Sequence, residues 1–153
     1  MDAQLQLTPR IRVGERHVEG TYKSERHFLD FVINSQSLWE ALGKSQDMVS
    51  ILCTEFAADE TKKAVNRLLL REKADLPNER RSLFTCAECD DLGCGAITLE
   101  VHNENGKISW STFGSENKWE ARVQFDEYAE IGPFTFDSTE YERTLQQGID
   151  DYR

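Results

Sequence analysis

Apolar positions along this chain follow two periods, and the switch between them marks the elements. From Leu5 to Val18 the pattern is extended. Ile11, Val13 and Val18 supply apolar teeth, and Val13-Gly14-Glu15-Arg16 places glycine where a type II′ hairpin turn needs it. From Ser24 to Leu42 the spacing turns helical. Phe28, Phe31 and Val32 fall at i, i+3 and i+4, and Leu38, Trp39 and Leu42 make a second apolar face. Ser24 is placed as an N-cap, Gly43 as a stop, and the polar Asn34-Ser35-Gln36-Ser37 divides the segment in two. Met48–Phe56 reads as a strand with Cys53 inside it.

The clearest helix runs from Asp59 to Glu72. Asp59 caps it, Ala64, Val65, Leu68 and Leu69 form its buried stripe, and Pro77 bars continuation. Ser82–Cys86 and Ala96–Asn103 are strands on either side of a cysteine-rich loop. Asn105-Gly106 is a type I′ turn signal between the opposite charges Glu104 and Lys107. That two-residue turn sets Val101 against Trp110 and Leu99 against Thr112. It gathers Ile97, Leu99, Val101, Ile108 and Trp110 on one face, with Phe113 on the other. Gly114–Ala129 is loop-like, with Trp119, Phe125 and Tyr128 as anchors. Ile131–Phe136 is a turn and short strand, and Asp137 or Ser138 caps a last helix reaching about Gln147, with Tyr141 and Leu145 at i and i+4.

These alternations predict one α+β domain spanning residues 1–153, a mostly antiparallel sheet with two or three helices packed on one face. The length suffices for a sizeable core. The longest apolar run is far short of a membrane span. Met1-Asp2-Ala3-Gln4 lacks the basic-then-apolar pattern of a secretory signal, so a cytoplasmic location is expected, where thiols stay reduced. The net charge of −10 argues against nucleic-acid phosphates and anionic membranes as partners. It suits a solvated acidic surface, or docking onto a basic protein with electrostatic steering.

The chemistry concentrates in Cys86-Ala87-Glu88-Cys89-Asp90-Asp91-Leu92-Gly93-Cys94-Gly95, where three of the four cysteines follow the spacing C-x2-C-x4-C. Paired flanking strands would bring Cys86 and Cys94 together at the base of a loop, with Cys89 folded over them, as in a zinc knuckle. A fourth donor is needed. Cys53 from a neighbouring strand would complete a thiolate set of Cys53, Cys86, Cys89 and Cys94, and Asp90 or Asp91 would supply oxygen instead. His102 lies roughly 26 Å further along an extended strand and is rejected. Two other readings stand beside zinc: a tight turn with reduced thiols packed beneath the sheet, and a redox pair of Cys86 and Cys89 in a thiol oxidoreductase. Cys53 reads equally as a buried small hydrophobe.

Elsewhere the signals are thin. His17, His27 and His102 have no triad spacing to a nucleophile. Asp90-Asp91 and Asp150-Asp151 lack an EF-hand pattern. Gly93 and Gly95 precede a strand, not a helix, so they make no phosphate loop. Trp110, Phe113 and Trp119 are candidate binding aromatics, with core packing as the alternative.

Several stretches resemble one family. They are Leu68-Leu69-Leu70-Arg71 through Ala74-Asp75-Leu76-Pro77, then Arg81 to Ala96, Trp110-Ser111-Thr112-Phe113-Gly114, and Gly132-Pro133-Phe134-Thr135-Phe136-Asp137. Together they resemble a group of small uncharacterised bacterial proteins of actinobacterial type. That resemblance covers mainly the C-terminal half. It implies a strand, the CxxC-x4-C cluster, a hairpin with a W-x-x-F tip and a closing GPFxFD helix start, and implies no activity. Asp90 stands where members carry glycine.

The functional expectation is therefore a non-enzymatic acidic binding protein, of immunity or inhibitor type, with a structural cysteine cluster and a basic partner. The alternatives are a zinc-stabilised protein and the thiol oxidoreductase.

Overall fold

Between Met48 and Thr54 the chain leaves one sheet for another, and this step joins the two halves of the fold. The computed structural model describes residues 2–16, 20, 22–88, 95–117 and 122–152. In chain order these form β1 (Leu5–Arg12), β2 (Glu15–Arg16), β3 (Tyr22–Lys23), β4 (Arg26–Ile33), β5 (Gln36–Ser37) and β6 (Met48–Ser50). Then follow α1 (Ala58–Leu68), β7 (Arg81–Cys86), β8 (Ala96–Glu104), β9 (Lys107–Glu116), β10 (Phe134–Asp137) and α2 (Ser138–Tyr152). Five strands pair in the order β10-β9-β8-β7-β6, and β1, β4 and β5 make a second sheet, antiparallel throughout. At the crossing, Ile51 N donates to Leu83 O of β7 at 3.1 Å, while Leu29 N of β4 donates to Leu52 O at 3.0 Å. Ser50 Oγ holds the corner, donating to Leu29 O at 2.6 Å and accepting from Leu52 N at 3.1 Å. Backbone groups at this buried bend are thus paired rather than stranded.

The α+β architecture agrees with the expectation, but several local segments do not. Residues Arg26–Ile33, expected to be helical, form the strand β4. Leu29, Phe31 and Ile33 alternate into the main core, while Phe28 packs the other way with Val49, Cys53, Phe56 and Ala87. A strand buried on both faces loses its polar alternation and imitates a helical stripe. Asp30, also fully buried, accepts from Ser37 Oγ at 2.5 Å, Trp39 N at 3.0 Å and Arg10 Nε at 3.2 Å. Ser24 caps no helix. Only Trp39–Gln46 is helical there, as two short turns. The Gly14 hairpin is likewise replaced: β1 pairs with β4, and Ile11 and Val13 are exposed.

Both helices form, although α1 starts after Ala57, with Asp59 and Glu60 in its first turn rather than at the cap, and ends at Leu68 instead of Glu72, while α2 runs on past Gln147 to Tyr152. Asp137 caps α2, accepting from Glu140 N at 3.1 Å. The Asn105-Gly106 hairpin forms with Glu104 opposite Lys107 and Val101 opposite Trp110. Beyond it the register shifts, because β9 inserts an extra residue at Thr112, whose φ is +54°. Leu99 therefore does not face Thr112, and Phe113 turns inward to join the core face. The two helices meet over the larger sheet through Tyr141, which reaches from α2 to Leu68 at the end of α1. Among the described residues, no helix is long and apolar enough to cross a membrane.

Candidate functional site

Of the four cysteines, Cys53 and Cys86 lie among the described residues. Cys86 ends β7, half-buried, opposite Met48. Cys89 and Cys94 lie outside the described residues, as do His17, Asp90, Asp91 and Trp119. Cys53 is fully buried in the small cluster around Phe28, and its Sγ donates to Glu55 Oε1 at 3.5 Å. Burial pushes this thiol up to about 11. Cys53 is thus a buried group packed among apolar side chains. Among the described residues, no three His, Cys, Asp or Glu side chains converge as metal ligands do.

Two ionic clusters flank these cysteines. Arg12, only 6% exposed, grips Asp47 with Nε at 3.0 Å and Nη2 at 2.6 Å. Its Nη1 donates to Glu88 Oε1 at 2.5 Å and to Ser24 O at 2.8 Å. Glu88 also accepts from Ser24 N and Oγ, at 2.8 and 2.9 Å. Arg12 and Ser24 together hold the Glu88 carboxyl down at about 2. The clasp ties β1 to the residue just before Cys89. In the second cluster Glu55 accepts from His27 N at 2.6 Å and lies 3.0 Å from His27 Nδ1. Burial works to raise the Glu55 carboxyl, but the hydrogen bonds from His27, Thr54 and Cys53 outweigh it and hold it at about 2. In both clusters the carboxylate is held by several hydrogen bonds to distant segments, which brace the fold.

The aromatic candidates also part. Trp110 is fully buried, packed edge-on against Phe31, Phe136 and Tyr141 at centroid distances of 5.6, 5.3 and 6.0 Å. Its indole N–H is taken by Tyr141. This corrects its reading as a binding residue, since it presents no surface to a ligand. Phe113 is buried too, but it floors a surface groove of about 340 Å³ that Phe125, Tyr128, Ile131 and Pro133 complete. Across the ridge formed by residues 131–133 lies a second groove, of about 440 Å³, lined by Ile33, Leu38, Ala41 and Phe134 with Glu130.

Local chemistry fixes this ridge in place. Ser115 and Gln124 exchange backbone hydrogen bonds at 2.9 and 2.8 Å, laying the segment on β9. Gly114 permits that approach, because a Cβ there would sit 2.6 Å from Val123 Cγ1. Tyr128 is buried and accepts from Gln46 Nε2 at 2.6 Å. Gly132 has φ +75°, and a Cβ would stand 3.2 Å from Phe113 Cε1. Beneath, Arg80 is 3% exposed and donates to Thr112 O at 2.7 Å, Thr98 O at 3.0 Å and Glu116 Oε2 at 3.1 Å, with its guanidinium 5.3 Å from the Phe125 ring. Phe125 remains 42% exposed. Asp126, Glu127 and Glu130 are exposed around it, with Arg122 the exposed cation just before them.

An apolar floor, a braced ridge and neighbouring carboxylates make an arrangement able to receive an apolar segment carrying positive charge. The sequence pattern does not mark Gly132, Phe125 or Glu130 as site residues. The Gly132-Pro133 dipeptide and the acid-rich run from Asp126 to Glu130 were the available signals. Comparison with family models, with curated proteins and with solved structures finds no match for this chain.

Proposed function

We propose that this protein is a non-enzymatic binding module, of inhibitor or immunity type, which docks a basic protein partner on the two grooves flanking residues 131–133. One observation carries the reading: an apolar floor containing Phe113, Phe125 and Phe134 lies beside exposed Asp126, Glu127 and Glu130. Apolar contact there supplies affinity, and the carboxylates, added to a net charge of −10, steer a cationic partner and reject an acidic one. The bracing by Arg80, Gly132 and Tyr128 supports a surface that binds without prior ordering.

The test is a fluorescence titration with a synthetic peptide of alternating lysine and leucine, at low and at physiological salt. The expected result is salt-dependent binding, weakened about tenfold by Glu127→Lys with Glu130→Lys. An unchanged affinity in that double variant, or loss of binding in Asp150→Lys with Asp151→Lys instead, overturns the assignment of the surface.

A second reading places a structural zinc in the cysteine loop. The antiparallel pairing of β7 and β8 supports it, because Thr85 stands opposite Ala96 and so brings the two ends of the loop to adjacent strands. Cys86, Cys89 and Cys94 would hold the ion. Elemental analysis of protein purified without chelator decides the matter: about one zinc per chain supports it, and less than about a tenth ends it.

A further inference from the structure

A separate cavity of about 110 Å³ lies between α1 and β7 and shares no lining residue with the grooves. Ile51, Phe56 and Ala64 give it an apolar wall. Its polar lining comes from Glu60 and Arg67 of α1, from Asp75, and from Ser82 and Thr85 of β7. The register shift between Ser82 and Phe84 sets Ser82 and Thr85 along the same side of that strand.

Thr85 is 2% exposed, and its hydroxyl has no hydrogen-bond partner among the described residues. Buried hydroxyls are otherwise satisfied almost without exception, so this one calls for an explanation. Beside it the Asp75 side chain is 6% exposed. Its carboxylate accepts from Ser82 Oγ at 2.5 Å and Ser82 N at 3.2 Å, and Arg67 Nη1 stands 3.9 Å from Oδ2. A carboxylate has about four lone-pair sites, so acceptor capacity remains. The lining carries two carboxylates and one guanidinium; the guanidinium faces Asp75, and Glu60, at the exposed rim, lies 3.8 Å from Lys63 Nζ.

We propose that this cleft binds a small primary ammonium compound with a short hydrocarbon tail. An ammonium offers three donors and no acceptor. Asp75, Glu60 and the Thr85 oxygen receive them, and the tail lies against Ile51, Phe56 and Ala64. At about 30 Å³ for each atom the size of a water, the space holds ~4 non-hydrogen atoms, the size of propylammonium. A carboxylate of equal size would face Asp75 and Glu60. An alcohol would satisfy Thr85 and leave the remaining acceptor capacity of Asp75 unused.

The experiment is an NMR titration of the full chain with propylammonium, propanol and propionate at matched ionic strength. Saturable shifts confined to α1 and β7 are expected with propylammonium below about 0.1 M, the range a ligand of this size reaches. Thr85→Val, which keeps the shape, is expected to raise Kd about tenfold, and Asp75→Asn to raise it further. Equal binding of propanol or propionate overturns the proposal. So does an absence of saturable shifts, above all if Thr85→Val then proves more stable than the parent, which would reduce the hydroxyl to an ordinary water contact. The native-protein titrations decide the question even if a variant fails to fold.

Discussion

Trp110 Nε1 donates to the Tyr141 hydroxyl at 3.0 Å in the centre of the core, and that hydroxyl in turn donates to Leu68 O at 2.6 Å. One phenol therefore ties β9, α1 and α2 together. Burial drives its pKa well above the ordinary value, so it stays a neutral donor. Tyr141→Phe leaves an indole N–H and a carbonyl buried without partners. A loss of about 2–4 kcal/mol is expected, read as a lower urea midpoint with an unchanged slope.

Gly132→Ala should destabilise by about 1–2 kcal/mol, because φ is +75° and the new Cβ would press on Phe113. Gly106→Asn is the control. Its φ is +76°, but nothing lies within 4 Å of the added Cβ, and asparagine tolerates this conformation. Thermal unfolding of both variants separates crowding from conformation, and only Gly132→Ala should weaken lysine–leucine peptide binding.

Arg80→Met removes the cation facing Glu116, whose side chain is 9% exposed. A buried charge left alone costs about 3–5 kcal/mol. Adding Glu116→Gln should recover part of that loss. Strict additivity in a double-mutant cycle would show that the pair is not coupled.

Acid should weaken the fold through Glu88 and Glu55. Both carboxyls sit at about 2 in the folded chain, below their ordinary 4.5. Their contribution is present above pH 4.5 and is lost as the pH falls toward 2. Asp47, lowered by the Arg12 hydrogen bonds, acts in the same direction. Glu88→Gln should flatten the dependence of the melting temperature on pH within that window, and an unchanged slope would contradict the clasp.

Thiol alkylation near neutral pH should spare Cys53, which is fully buried with its pKa at about 11. Half-buried Cys86 should react before it. Peptide mapping by mass spectrometry after brief iodoacetamide treatment distinguishes the two, and early labelling of Cys53 would show that its pocket opens.

Short-range chemistry by itself determined α1, through its apolar stripe and first-turn acids, and the β8–β9 hairpin, through Asn105-Gly106 and the flanking opposite charges. It also marked the turn at Gly132-Pro133 and a helix cap at Asp137 or Ser138. Only tertiary structure decided that β4 is a strand, because covering both of its faces erased the alternation that would have identified it. Only tertiary structure placed the bulge at Thr112, where Arg80 captures a carbonyl from another segment, and so turned Phe113 inward and left Trp110 without a surface. The grooves and the cleft beside Thr85 arise from contacts between residues far apart in the chain. Local patterns record neighbours along the backbone, whereas such sites depend on neighbours across space.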